Sequence, residues 1–283
     1  MKYSISHLKE HAPRAIKSRG LALLRKPQTE GNVVVLHNGR SGSTLLGQML
    51  DQHPDIFWDG ETYEKQLHKR QAKSTLGFED MWGLIDDRAA LAELRTRMRR
   101  RAGGRIFGTE LQDYHPQMMG TEIEPYLDKM QRLGFTKFVY LQRNYLRKIV
   151  SAATATKKGS FHVKAGRRSS ATKIRLNPRK LYIGHRYTTL LDVMRQYRAF
   201  HRRTISALGR DQVLELSYEK DIENDPGVAA SKVFDYIDVE PIEPEVTLAK
   251  TTSKDLSNVV ENFDEILEVV EQSEFADQIA PFV

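Results

Sequence analysis

The residues best suited to chemistry in this chain follow an apolar run near its beginning. Residues 33–36 read Val-Val-Val-Leu, and the next turn contains Gly39, Arg40, Ser41, Gly42, Ser43 and Thr44. Three consecutive valines favour a strand covered on both faces, and the glycines allow tight turns where a side chain would clash. Ser43 and Thr44 begin a helix whose first-turn N–H groups attract a phosphate, and Arg40 adds a full positive charge. The pattern predicts a phosphate-binding loop.

This loop differs from the loop that binds nucleoside triphosphates. In the G-x-x-x-x-G-K-[ST] motif a lysine precedes the hydroxyl residue, whereas here Ser43 precedes Thr44. The order G-R-S-G-S-T-L-L after an apolar strand resembles the 5′-phosphosulfate loop of the sulfotransferases that use 3′-phosphoadenosine 5′-phosphosulfate (PAPS). The resemblance implies that residues 39–44 hold the phosphosulfate of this co-substrate and that Arg40 takes part in catalysis.

A second segment, residues 137–151, resembles the 3′-phosphate segment of the same family. There a strand ends in Arg-Asn, a helix follows, and a serine lies eight residues after the arginine, as Ser151 follows Arg143 here. A guanidinium fork and a hydroxyl can share one phosphate. Tyr145 stands where the family usually has proline, which costs the helix its favoured first residue but removes no ligand.

The sequence offers three candidates for the catalytic base. Glu61 follows Gly60, and several bacterial sulfotransferases carry a Gly-Glu here whose glutamate takes the proton from the acceptor hydroxyl. The alternative is that Glu61 caps the following helix through its first-turn N–H groups. Many relatives have lysine where Glu110 stands, and this departure leaves Glu110 and His115 as rival bases.

Strands and helices alternate along the chain, which predicts an α/β fold with one central, mostly parallel sheet flanked by helices and ligands at the carboxyl ends of its strands. We expect one sulfotransferase domain over residues 32–283. Residues 1–31 form a basic extension, with apolar residues at roughly helical spacing. This helix could lie on the domain itself or make peripheral contact with a membrane surface.

Later segments carry weaker signals. The resemblance suggests that Tyr218 packs near the adenine, although a core tyrosine fits equally, and that Lys250 and Lys254 face the 3′-phosphate. Asn177 and Pro178 predict the start of a helix that reaches about Leu208 and that Gly184 could interrupt. A solvated helix face is expected for five arginines, namely Arg95, Arg97, Arg99, Arg100 and Arg101.

Composition restricts the remaining choices. The 283 residues are 40% hydrophobic, enough for one large core, and contain no cysteine, which excludes disulfides and thiolate metal sites. No metal constellation stands out, and no metal is expected. No apolar run approaches the length of a membrane span, and the N-terminus lacks the apolar centre of a secretory signal, so we expect a soluble, cytoplasmic protein.

Charge is concentrated in residues 157–203, where fourteen lysines and arginines against Asp192 give a net charge of +13. This segment could be a solvated surface, steer PAPS, or face an anionic acceptor or lipid. A polyanion-binding module would also explain this charge, but it would give neither phosphate motif a role. Residues 204–283 carry a net charge of −14, which would repel a long polyanion. No nucleic acid is therefore expected as a partner.

Together these features predict an enzyme that transfers a sulfuryl group from PAPS to a hydroxyl or amine. The reaction is an in-line displacement that requires positioning and neutralisation of charge on the leaving phosphate. A kinase-like phosphotransferase would use the same phosphate-binding loop, but the lysine that such an enzyme needs before the hydroxyl residue is absent here. Small-molecule, glycan, glycolipid and peptide tyrosine acceptors all fit, because acceptor loops vary independently of the cofactor motifs.

Overall fold

Strand β1, Asn32–His37, lies at the centre of the main sheet. The computed structural model describes residues 30–64, 86–158, 172–183, 186–246 and 255–282. Within these ranges five strands form one sheet in the order β2-β3-β1-β4-β7, and all neighbouring strands are parallel. The other strands are β2 (Ile56–Trp58), β3 (Ile106–Gln112), β4 (Phe135–Gln142), β5 (Leu181–Ile183), β6 (Arg186–Thr188) and β7 (Val213–Ser217).

Helices connect the strands and cover both faces of the sheet. In chain order they are α1 (Ser43–Leu50), α2 (Asp87–Arg97), α3 (His115–Met118), α4 (Ile123–Arg132), α5 (Tyr145–Lys158), α6 (Leu190–Leu208), α7 (Pro226–Tyr236) and α8 (Phe263–Glu271). A turn of π-helix, Met98–Ala102, extends α2, and another, Tyr218–Ile222, follows β7. This arrangement confirms the predicted fold class.

The core explains why β1 is entirely apolar between its ends. Val33 and Val35 pack into the apolar cluster on one face of the sheet, while Val34 and Leu36 pack into the cluster on the other. All four side chains are completely inaccessible to solvent. A third apolar cluster joins α5, α6 and α8.

Register brings the carboxyl ends of the strands to one edge. His37 at the end of β1 pairs with Gln112 at the end of β3, and Leu36 pairs with Tyr140 of β4. Ser217 of β7 pairs with Gln142 of β4. Ligands of open parallel sheets bind at this edge, and the loops that leave it carry most of the predicted site residues.

The helix predicted from Asn177 to Leu208 is wrong in its first part. Residues 181–188 contain a hairpin, β5 and β6, and α6 begins only at Leu190, where Thr189 accepts a hydrogen bond from the Asp192 N–H. Leu181 is buried in the third cluster, whereas Tyr182 is exposed. This two-residue alternation is typical of a strand and overrides the Asn-Pro start signal.

Several predictions fall on residues outside the described ranges. The basic extension, apart from its last two residues, and both Lys250 and Lys254 lie there. Among the described residues, no helix combines the length and the apolar character that crossing a membrane requires.

Candidate active site

The loop after β1, residues 39–44, is called the cradle here, and three of its residues have a left-handed backbone. Gly39, Arg40 and Gly42 have φ of 67°, 48° and 92°, and the Gly39 N–H donates to Nδ1 of His37 at 3.0 Å. A Cβ on Gly42 would lie 2.8 Å from the Tyr218 ring, so only glycine fits there. In the described part of the chain, no acceptor is hydrogen-bonded to the backbone N–H groups of residues 41–44. These donors are available to an anion.

The two predicted phosphate segments meet directly. Arg40 donates from Nε to the Ser151 hydroxyl at 3.1 Å, and Arg143 donates from Nη1 to the Arg40 carbonyl at 2.9 Å. The Arg143 guanidinium lies 4.1 Å above the Tyr218 ring, and its buried Nε has no hydrogen-bond partner among the described residues. Burial, then mutual repulsion, lowers the pKa of Arg40. The cluster gathers two guanidinium groups and a hydroxyl, and the Arg143 Nε is a donor that suits a phosphate oxygen.

Glu61 sits at the end of a loop that is fixed to β3. The Gly60 carbonyl accepts from the Glu110 N–H at 3.0 Å and from the Thr109 hydroxyl at 3.0 Å. Gln112 then donates from Nε2 to Glu61 Oε1 at 2.6 Å. Burial, followed by contact with the Glu64 carboxyl, raises the pKa of Glu61 to about 10. A strongly perturbed carboxyl beside a phosphate cradle is a candidate for proton transfer.

A buried ion pair attaches this loop to α2. Arg97 of α2 donates from Nε and Nη2 to the two carboxylate oxygens of Asp59, each at 2.5 Å, and the Thr62 hydroxyl donates to Asp59 at 2.6 Å. Arg97 is only 9% exposed. The prediction of a solvated arginine face is therefore wrong for Arg97, because its guanidinium is needed to neutralise the buried Asp59. Arg101 also contacts Asp59, at 3.4 Å.

Glu110 on β3 contacts Trp58 and His37 next to the cradle. Trp58 donates from Nε1 to its Oε1 at 3.2 Å, and Nε2 of His37 lies 3.2 Å from its Oε2. Burial opposes ionisation, but interactions with His37, Ser43 and Trp58 outweigh it and hold the pKa of Glu110 below its usual value. Oε2 of Glu110 has no well-aligned hydrogen bond among the described residues, so the His37 contact is electrostatic, and a carboxyl with a lowered pKa is a weak base.

Trp58 reaches Glu110 through a gap left by two glycines. A Cβ on Gly47 of α1 would come within 2.2 Å of the indole, and one on Gly108 of β3 would also come within 2.2 Å of it. The position of the indole therefore requires glycine at both 47 and 108.

His115 is enclosed away from the cradle. It is fully buried, its Nδ1 accepts from the Gln112 N–H at 3.0 Å, and its ring packs against Tyr63 and Tyr114. Burial lowers the pKa of His115 to about 4, so the ring is neutral at physiological pH. This geometry does not favour the role of base that the sequence left open for His115.

One group of side chains has the composition of a cation site. His37, Glu61 and Glu110 offer ligand atoms that all lie within 4.8 Å of one another. However, Nδ1 of His37 accepts the Gly39 N–H, so the ring hydrogen is on Nε2, which faces Glu110 as a donor rather than as a lone pair. We assign no metal to this group.

Sequence reasoning missed Lys148, which lies on α5 one turn before Ser151. It is only 1% exposed, and its ammonium lies 3.9 Å from the Tyr197 ring centre, with no hydrogen bond to the described residues. Burial lowers the pKa of Lys148 to about 7. Only its place in the first turns of α5 could have drawn attention to it.

A cavity of about 210 Å³ opens beside Tyr114, between α3, the start of α4 and α6. Tyr114 donates from its hydroxyl to Glu64 at 3.0 Å, so the cavity adjoins the Glu61 loop. Its wall combines polar and apolar side chains, among them Asp113, Gln117, Gln196, Phe200 and Arg203.

Known proteins resemble this chain in fold and in sequence. The solved sulfotransferase from Alicyclobacillus acidocaldarius is 16% identical and has a TM-score of 0.53, covering 88% of this chain and 93% of its own. The sulfotransferase domain of the Synechococcus PCC 7002 olefin synthase is 19% identical with a TM-score of 0.44, covering 74% and 73%. A search of curated protein sequences finds no match. A family model described as the sulfotransferase family matches residues 33–244, and the chain therefore belongs to the sulfotransferase family.

Proposed function

We propose that this sulfotransferase uses PAPS as the donor and transfers its sulfuryl group to a hydroxyl or amine of an acceptor. The hydrogen bond between Arg40 and Ser151 is the observation that carries the proposal. It joins the loop suited to a 5′-phosphosulfate to the segment suited to a 3′-phosphate. A donor with only one phosphate-bearing end would leave one of the two segments without a ligand.

The residues of the cradle would stabilise the leaving group. Bound PAPS supplies an activated sulfuryl group whose bond to the 5′-phosphate breaks during transfer. The N–H groups of residues 41–44 and the Arg40 guanidinium would neutralise the charge that builds on that phosphate. Arg143 and Ser151 would fix the distant 3′-phosphate and so set the register of the donor in the cradle.

Glu61 is our candidate for the base. It is held by Gln112, and Arg40 is close enough to influence its charge. Glu110 lies beside Trp58 and His37 with a lowered pKa, and His115 is enclosed in the core. We prefer Glu61 among the three candidates because it lies close enough to Arg40 for their charges to interact. With a pKa raised to about 10, its carboxyl must first lose its own proton before it can accept one from the acceptor.

The cavity beside Tyr114 is the proposed place for the acceptor. Arg203 on its wall is already paired with Glu122 and Glu124, and the other polar groups there are acids, amides and the hydroxyls of Tyr114 and Thr121. Such a wall favours a neutral, hydroxyl-rich acceptor such as a glycan over an anionic one.

The direct test is sulfuryl transfer with the purified full chain. PAPS carrying a radioactive sulfur would be incubated with hydroxyl-bearing saccharides, lipids and small alcohols, and the labelled product identified by mass spectrometry. Calorimetric titrations with 3′-phosphoadenosine 5′-phosphate, ATP with magnesium, and an oligonucleotide would run beside it. We expect tight binding of the first ligand alone. Preferential binding of ATP or the oligonucleotide would contradict the proposal.

A further inference from the structure

A short segment near the C-terminus contacts the start of α5, the helix that carries Ser151. Ala276–Ile279 is one turn of 3₁₀ helix, and Ile279 is buried in the third apolar cluster. Gln278 in this turn makes two hydrogen bonds to α5. Its side-chain Oε1 accepts from the Tyr145 N–H at 3.0 Å, and its carbonyl accepts from Asn144 Nδ2 at 2.7 Å. The mechanism above gives Gln278 no role, and it lies outside residues 33–244, which the family model matches.

Other N–H groups at the start of α5 also have acceptors inside the protein. The Asn144 N–H donates to Glu219 Oε1 at 3.1 Å, and the Arg147 N–H donates to Asn144 Oδ1 at 3.0 Å, as is usual for a residue that caps a helix. These donors are therefore not available to an anion. A 3′-phosphate bound here would depend on side chains instead, and Arg143 and Ser151 are the side chains in question.

We propose that Gln278 is a positioning residue for the 3′-phosphate of the donor. The proposal rests on PAPS as the donor, as proposed above. Arg143 directly precedes the cap residue Asn144, and Ser151 lies two turns further along α5, so the placement of the first turn determines where both groups lie. Gln278 fixes that turn by accepting the N–H of its first residue, Tyr145. Without this acceptor, donor binding would have to fix a turn that the wild-type chain already holds in place.

Two nucleotides that differ only in the 3′-phosphate test this role. Gln278→Leu keeps the approximate size of the side chain but removes the acceptor. Its affinity for 3′-phosphoadenosine 5′-phosphate should fall about fivefold, the usual worth of one internal hydrogen bond, as measured by titration calorimetry. Its affinity for adenosine 5′-phosphate should change little, because this nucleotide lacks the group that α5 would bind. Gln272→Leu, at an exposed glutamine that follows α8, is the matched control and should resemble the wild type.

The possible outcomes separate this role from the proposed donor. If the wild-type chain binds both nucleotides equally, PAPS is refuted as the donor, and the role of Gln278 is refuted with it. If the wild-type chain prefers the 3′-phosphorylated nucleotide and Gln278→Leu prefers it to the same degree, only the role of Gln278 is refuted. A general loss of stability would weaken binding of both nucleotides alike and would not change the preference.

A double-mutant cycle shows whether the side chain acts through the Tyr145 N–H. Tyr145→Pro removes this N–H, and proline is favoured at the first position of a helix. It also removes a ring that packs against Tyr197 and Phe275, so Tyr145→Ala, which loses the ring but keeps the N–H, is the matched background. Gln278→Leu should weaken binding of 3′-phosphoadenosine 5′-phosphate in the Tyr145→Ala chain and have no effect in the Tyr145→Pro chain. An equal loss in both backgrounds would overturn the proposal.

Amide hydrogen exchange of the free chain tests the contact without any nucleotide. The Tyr145 N–H should exchange faster in Gln278→Leu than in the wild type, because it has lost its acceptor. The Arg147 N–H, which donates to Asn144, should change less. Gln272→Leu should exchange like the wild type at both positions. Equal exchange of the Tyr145 N–H in Gln278→Leu and the wild type would show that Gln278 does not fix the first turn of α5.

Discussion

Arg97 donates a hydrogen bond to each carboxylate oxygen of Asp59, both at 2.5 Å. This buried ion pair connects α2 to the loop that carries Glu61. The pair is separated by 38 residues in sequence. Because Gly60 and Glu61 follow Asp59 directly, the position of the candidate base depends on a contact that does not itself touch the reaction.

Removing one partner of this pair should cost both stability and turnover. Arg97→Met leaves the Asp59 charge buried without its main partner, and breaking a buried pair in this way typically costs about 3–5 kcal/mol. Guanidinium unfolding would measure the loss of free energy. Arg95→Met, which changes an exposed arginine of the same helix, should have little effect. Equal stability of the two variants would show that the pair does not support the loop.

The donor's 3′-phosphate should depend on Arg143. Arg143→Ala should weaken binding of 3′-phosphoadenosine 5′-phosphate by about 1.5–3 kcal/mol, the range for hydrogen bonds to charged groups. Binding of adenosine 5′-phosphate should change little, so the discrimination between the two nucleotides should disappear. Titration calorimetry would measure both affinities. Arg132→Ala, at an exposed arginine of α4, is the matched control. Undiminished discrimination would refute the role of Arg143.

Glu61 should matter for turnover and not for donor binding. Glu61→Gln keeps the shape of the side chain but removes its ability to accept a proton, and kcat should fall by about a hundredfold or more. The affinity for 3′-phosphoadenosine 5′-phosphate should stay close to that of the wild type. Parallel assays of Glu110→Gln and His115→Gln would complete the comparison. A near-normal rate for Glu61→Gln with a large loss in either of the others would reassign the base.

Lys148 should make the fold less stable at low pH. Burial depresses its pKa to about 7 from the 10.5 of a free lysine, so the unfolded chain binds more protons between these values and stability rises with pH there. Lys148→Met removes this penalty. The variant should therefore gain most at pH 6.5, and the gain should shrink by up to about 1.4 kcal/mol per pH unit towards pH 10.

Chemical unfolding at pH 6.5 and pH 9.5 would measure the Lys148 effect. Lys220→Met, which changes an exposed lysine, should show no such dependence on pH. A loss of stability in Lys148→Met at pH 6.5 would mean that the ammonium has a favourable partner in the folded chain.

Local patterns predicted most of the fold. The apolar run of β1 and the glycines of the loop after it lie within short stretches, so the sequence alone was sufficient for them. The phosphate-binding roles of this loop and of Arg143 and Ser151 stay predictions. Contacts between distant segments were missed. Arg97 looks like one of several surface arginines until Asp59 is brought against it. The contact of Lys148 with Tyr197 and that of Glu64 with Tyr114 also join residues that lie far apart in sequence, so the sequence pattern did not indicate them.

The indole of Trp58 occupies space that Gly47 and Gly108 leave empty, and this has an evolutionary consequence. Neither glycine can change while Trp58 is present, because any side chain at position 47 or 108 collides with the ring. A smaller residue at position 58 would open room at both others. Homologues that have lost the tryptophan should therefore carry alanine or serine at positions 47 and 108, and the three columns of an alignment should covary. Their Glu110 equivalent would also lack its indole donor, so the residue below the cradle should change in the same lineages.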